Sequence, residues 1–276
     1  LNKNAWQDCE STDRESYSLP YGQDELIEAL AKANPNLVVA NITGNAYAMP
    51  WADIVPAILH ASYLGTMGGA SLADVIAGTV NPSGKMPYSI PVRLADNGAH
   101  AFGVESFPGV EGKEGEVLFG ARAPQQNYEE DIFVGYRWHD TRKIPARYAF
   151  GHGLSYTTFA YGKPALSAKE IKAGGSLTVT VPVTNTGLRS GAEVVQLYVG
   201  DDKSSVRRPL KELKGFDKIT LAPGETRDVT FTVTPEMLAF FDEEAHDWRA
   251  EPGTFTLYIG GSSADTPARA KFRLVE

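Results

Sequence analysis

Residues 8–15 read DCESTDRE, a string that crowds Asp8, Glu10, Asp13 and Glu15 around Arg14 and Cys9. Carboxylates this close raise one another's pKa, and a carboxyl that keeps its proton near neutral pH suits general acid–base work. The alternative is a surface loop in which Glu10 only accepts a hydrogen bond from Arg14, since clustered charges also build structural networks. A second acidic run, YEED (128–131), offers Glu129 and Glu130, which read as structural. Trp6 and Trp51 have flat faces on which a ligand could stack, but a single tryptophan is more often core.

Metal chemistry finds no support. Cys9 is the sole cysteine, which excludes an internal disulfide and a cysteine-based metal site. The five histidines are dispersed, without spacing such as H-E-x-x-H. No metal and no organic cofactor is expected, and Cys9 itself reads as a small packing residue.

The elements that must carry these residues fall into two kinds. QDELIEALAKA (23–33) sets Leu26, Ile27, Leu30 and Ala33 on one helical face, and LVVANI (37–42) is a continuous apolar run, expected to be a strand buried on both faces. AILHASY (57–63) reads as another such strand and GGASLADVIAG (68–78) as a helix closed by Gly78. Open α/β sheets of this kind place ligands at their strand ends. Farther on, SLTVTVPVTNTG, AEVVQLYVG, RDVTFTVTP and GTFTLYIGG alternate apolar and polar residues with turns between them, as in LAPGE (221–225). They predict an antiparallel sandwich of the immunoglobulin or fibronectin type III kind. Residues 92–130 between the halves are rich in Gly, Pro and Asn, a long connection of the sort that is functional or draped over a neighbour.

Charge narrows the partners. The net charge is −8: residues 1–150 carry 11 Lys/Arg against 18 Asp/Glu, and residues 151–276 carry 15 against 16. Such a surface repels phosphate backbones, so no nucleic acid is expected. No apolar run approaches the ~20 residues of a membrane span. The abrupt start LNKNAWQD predicts a segment or processed product of a longer polypeptide, and a periplasmic or secreted setting is expected over a cytoplasmic one.

Longer strings now carry a resemblance. NPSGKMPYSIP (81–91), YEEDIFVGYRWHD (128–140), FGHGLSYTTF (150–159), VTNTGLRSGAEVVQLYV (183–199) and SSVRRPLKELKGFDK (204–218) stand in this order. The first resembles the NPSGKLPxTxP segment of family 3 glycoside hydrolases, the β-glucosidase and β-xylosidase group, and the others follow in that family's order. The resemblance implies an N-terminal (β/α)8 barrel with the aspartate nucleophile in a Ser-Asp-Trp motif, an α/β sandwich domain, and a fibronectin type III-like domain. This chain resembles the later parts: residues 1–91 the end of the α/β sandwich domain, 92–159 a linker and inter-domain segment, and 160–276 the fibronectin type III-like domain. His246-Asp247-Trp248 imitates the nucleophile motif on the wrong domain, and Asp247 reads as a turn residue. Tyr136, Arg137 and Trp138 read as packing between domains.

In many family members the resemblance implies an acid/base glutamate in a G-Q-E-x-G segment before the helix. The matching stretch here is GTMGG (65–69), with Met67 where the glutamate would stand. A thioether donates no proton. Other branches of the family supply the acid/base from an earlier loop resembling residues 1–15, which makes Glu10 the catalytic candidate. Asp13 and Arg14 either anchor that loop or touch sugar, and Thr66 and Met67 line the cleft by their place in the loop. The chain is therefore expected to be part of a retaining, exo-acting β-glycosidase of β-glucosidase type. Its substrate would be an oligosaccharide or β-glycoside, and its other wall a barrel carrying the nucleophile. The rival is a noncatalytic scaffold or binding module that has lost its acid/base.

Overall fold

Alternation in LTVTVPVTN translates directly into layers. Leu177, Val179, Val181 and Val183 are buried to within 1%, while the threonines between them face outward and pair across the ladder, Thr180 with Thr230 and Thr184 with Thr226 at 2.8 Å. The computed structural model describes residue 14 and residues 16–115, 117–118 and 121–276. Glu10 and Asp13, with Trp6 and Cys9, lie outside the described residues.

In the first part, helix α1 (Gln23–Ala33) leads to β1 (Val38–Asn41), then β2 (Ala57–His60), α2 (Gly68–Ala77) and β3 (Ile90–Pro91). The middle holds a 3-10 turn (Leu94–Asp96), α3 (Gly98–Ala101), the short strands β4 (Val117–Leu118) and β5 (Ala121–Arg122), α4 (Tyr136–Arg142) and β6 (Ala146–Tyr148). The remainder contains β7 (Phe159–Tyr161), β8 (Ala165–Leu166), β9 (Glu170–Lys172), β10 (Leu177–Asn185), β11 (Gly191–Asp201), β12 (Glu212–Leu221) and β13 (Thr226–Val233). It closes with α5 (Pro235–Leu238), β14 (Phe240–Asp242), β15 (Asp247–Arg249), β16 (Gly253–Gly260) and β17 (Ala268–Val275).

Two sheets make the sandwich. One runs β13-β10-β7, with β8 also on β10; the other runs β12-β11-β16-β17-β9. All these ladders are antiparallel except β17 with β9, which is parallel. Leu197, Leu257, Ile259, Phe255 and Phe272 fill the space between the sheets. Burying such a side chain is worth about 1.5–3 kcal/mol, and truncating Leu197 to alanine would cost about 2–5 kcal/mol.

The first part departs from its sequence pattern in two places. On α1 only Gln23 and Ile27 are buried, while Leu26 and Leu30 are exposed. The inward line is Gln23, Ile27 and Ala31, spaced by four, so the buried face is rotated from the one drawn through Leu26 and Leu30. β1 is not covered on both faces: Val39 is buried, but Val38 is 45% exposed. Among the described residues its ladder partner is β2, and α2 buries none of its residues against the pair.

Candidate functional site

β1 and β2 are parallel and adjacent, Asn41 opposite His60, so the loops that follow them leave from the same edge. The loop after β1 carries Ala46, Tyr47, Met49 and Trp51; the loop after β2 carries Gly65, Thr66 and Met67. The segment 14–17 is bound to the first of these. Arg14 donates from Nη2 to the Ala46 carbonyl, the Ala48 amide donates to the Tyr17 carbonyl at 2.8 Å, and the Tyr17 hydroxyl donates to the Pro91 carbonyl at 2.9 Å. Arg14 therefore sits at the strand-end edge where open α/β sheets place ligands.

Thr66 and Met67 form the other loop. Gly65 takes φ 68°, and Met67 caps α2 with its side chain 66% exposed. The turn is tight: a Cβ on Gly68 would stand 2.9 Å from the Leu64 Cβ. The fold thus places Arg14, Thr66 and Met67 on one edge, with Arg14 on the β1 side and the other two on the β2 side.

Beneath this edge lie residues the sequence did not single out. Asn41 is 1% exposed, and neither polar atom of its amide has a hydrogen-bond partner among the described residues. Beside it His60 meets the Tyr88 hydroxyl through Nε2 at 2.8 Å, while Nδ1 has no hydrogen-bond partner among the described residues. Burial holds the His60 pKa below its ordinary 6.5, so the ring is neutral near pH 7. Tyr47, fully buried, stacks on His60 with centroids 6.3 Å apart. A neutral imidazole, an amide and two phenols at strand ends can donate and accept hydrogen bonds without any charge. One signal was available: Asn41 and His60 are the polar residues interrupting two otherwise apolar strands.

Other candidates lie elsewhere. Trp51 is 1% exposed and donates to Asp24 Oδ1 at 2.7 Å, so its indole is core. Glu130 is buried against Gly98, and Glu129 is exposed on the turn before α4. Asp247 opens β15, immediately after the turn, and accepts from the Trp248 amide at 2.7 Å, on the sandwich. α4 does join the two parts. The Tyr136 hydroxyl accepts from the Leu213 amide at 2.8 Å, Arg137 pairs with Glu212 at 3.1 Å, and Trp138 donates to the Asp96 carbonyl at 3.0 Å. Lys211 reaches back to Asp140 at 2.7 Å and Lys85 reaches forward to Glu193 at 2.9 Å, both mostly buried. Among the described residues no group of three or more His, Cys, Asp or Glu could hold a metal ion. None of their helices is long and apolar enough to cross a membrane.

Comparison with known proteins agrees with this layout. A family model described as glycosyl hydrolase family 3 C-terminal domain matches residues 1–156, and one described as fibronectin type III-like domain matches residues 193–263. The chain is 50% identical to β-glucosidase BoGH3A of Bacteroides ovatus over all of its length and 35% of that protein's. It is 41% identical to thermostable β-glucosidase B of Acetivibrio thermocellus, over 97% of this chain and 33% of the relative. It superposes on the β-glucosidase DesR of Streptomyces venezuelae, solved with D-glucose, with a TM-score of 0.86 and 38% identity over 97% of this chain and 32% of DesR. The chain thus spans about a third of the length of the relatives it matches.

Proposed function

Because the chain belongs to glycoside hydrolase family 3, we propose that it supplies one wall of the cleft of a retaining, exo-acting β-glucosidase. The observation that carries the reading is identity of 50% along the whole chain to a β-glucosidase of which it spans 35%. The complementary wall is a (β/α)8 barrel bearing the nucleophilic aspartate. A retaining glycosidase sets two carboxyls about 5–5.5 Å apart: one attacks the anomeric carbon, the other protonates the leaving oxygen and then activates water.

In this chain Glu10 is the acid/base. It precedes Arg14 by four residues, a span of at most ~14 Å, and Arg14 is held at the ligand edge on Ala46. Asp13 and Arg14 anchor the loop, and Thr66 and Met67 form the facing rim. The substrate is a β-linked sugar at a non-reducing end. The chain alone, with a proton donor and no nucleophile, is inactive.

Met67 favours a second reading. Its exposed thioether occupies the place where the family resemblance implies a glutamate, as in a noncatalytic module. One assay separates the two: hydrolysis of an aryl β-glucoside and of a β-linked disaccharide by the barrel-containing protein. Turnover of both with retained configuration is the expected result; no turnover of either, with intact folding, selects the noncatalytic module.

A further inference from the structure

α2 carries the Thr66–Met67 rim at its N-terminus, and none of its side chains is buried among the described residues. Of the side-chain hydrogen bonds among the described residues, one reaches this helix. The Tyr156 hydroxyl donates to the Val75 carbonyl at 2.7 Å, in the last turn. Tyr156 is itself held from behind. Asn81 Oδ1 accepts from the Tyr156 amide at 2.7 Å and from the Ser155 hydroxyl at 2.9 Å, and Asn81 Nδ2 donates to the Ser190 carbonyl at 2.9 Å, in the loop that opens β11. The Arg189 guanidinium lies 5.8 Å from the centre of the Tyr156 ring. It also covers Gly78, where a Cβ would stand 3.1 Å from Nη1 and where φ is 75°. A Cβ on Gly191 would meet Asn81 Nδ2 at 2.7 Å, so glycine is what allows the amide in.

We infer that Tyr156, backed by Asn81 and Arg189, is a positioning residue: the sandwich grips the C-terminal end of α2 and thereby sets the Thr66–Met67 rim. The inference rests on the reading that this rim lines the cleft. A ten-residue helix spans about 15 Å and transmits a constraint at one end to the other. The NPSGK and GHGLSY strings thus meet in one task, and the sandwich acts on the cleft through a hydroxyl and an amide.

The test is Tyr156→Phe in the barrel-containing protein, which keeps the ring on Arg189 and removes the hydroxyl. Amide hydrogen exchange across residues 69–77 should quicken roughly three- to tenfold, the size of one lost hydrogen bond, while exchange in β10 and β11 stays unchanged. KM for a β-linked disaccharide should rise several-fold with kcat within twofold. Asn81→Asp, which keeps the two acceptor bonds and loses the donor, should fall between the two proteins. Unchanged exchange in α2 overturns the clamp whatever the kinetics. Quickened exchange with KM unmoved keeps the clamp and overturns the placement of Thr66 and Met67 at the cleft.

Discussion

Asn41 and His60 end two parallel strands side by side, and neither the Asn41 amide nor His60 Nδ1 has a hydrogen-bond partner among the described residues. A buried polar group left unpaired costs about 1–3 kcal/mol. Asn41→Leu should therefore raise the melting temperature of the protein by several degrees. In the barrel-containing protein the same change should lower turnover of an aryl β-glucoside, if the proposed cleft wall is right, because it strips hydrogen-bonding capacity from the ligand edge. A fall in melting temperature would mean that the amide is satisfied by ordered water in solution.

His60 also predicts how stability depends on pH. Burial lowers its folded pKa below the 6.5 of the free side chain, so the unfolded chain binds the extra proton first. The stabilisation is complete above pH 6.5 and is lost as pH falls through the lowered folded value. His152, lowered by burial and by Lys85, adds to the same slope. Urea titrations of the wild type and His60→Gln from pH 7.5 to 5 should show a shallower decline in the variant. Parallel curves would remove His60 from the account.

The Lys211–Asp140 pair sits at the junction of the two parts, and burial pushes the Asp140 carboxyl up while Lys211 pulls it down. Removing one partner of a buried pair costs about 3–5 kcal/mol, because the other charge stays behind. Lys211→Met should destabilise the protein by that order, and the double variant Lys211→Met/Asp140→Leu should regain most of the loss. A double variant no better than the single one, in chemical denaturation, would show that the pair itself holds the junction.

The sandwich was legible because its strands have a strict period of two, and Leu177 to Val183 fall inward as that period requires. The parallel pairing of β9 was not legible: three residues, Glu170 to Lys172, are too few to carry a pattern. On α1 the sequence offered Leu26, Ile27, Leu30 and Ala33; Ile27 is buried, but tertiary packing set Gln23 and Ala31 beside it instead of the two leucines. At the site, the family resemblance pointed to the GTMGG turn and to DCESTDRE, of which Arg14 alone is among the described residues. Asn41 and His60 escaped notice because a single polar residue ending an apolar run looks like a strand terminus. Lys211 stood in a recognisable string, yet its partner Asp140 lies 71 residues away, a pairing only the fold reveals.

Separating the halves of the cleft should separate the chemistry. The purified 276-residue chain should release no aryl alcohol from an aryl β-glucoside, because protonation without a nucleophile leaves the anomeric carbon unattacked. Adding a barrel fragment should restore some turnover where the interface re-forms. Activity of the chain alone, free of barrel contaminant, would overturn the assignment of roles.

Glu10→Gln in the barrel-containing protein tests the proton donor itself. General acid–base assistance is worth ~10²–10⁴-fold, so disaccharide hydrolysis, with its poor leaving group, should fall by that factor. An activated aryl glucoside needs no protonation to depart, so its glycosylation step should survive and a burst of aryl alcohol should appear. Deglycosylation should then limit turnover, because the missing carboxylate is also the base that activates water. Azide attacks the glycosyl-enzyme without a base, so it should restore steady turnover and yield a glycosyl azide of retained configuration. Asp8→Asn, Asp13→Asn and Glu15→Gln should lack this rescue whatever they do to stability, since none is assigned the proton. Met67→Glu in the Glu10→Gln background is the counter-test: partial recovery would show that the turn before α2 points a carboxyl at the same bond. If Glu10→Gln leaves disaccharide hydrolysis within a few-fold of wild type, the loop is structural and the donor is to be sought on the barrel, since Glu129 and Glu130 lie away from the ligand edge.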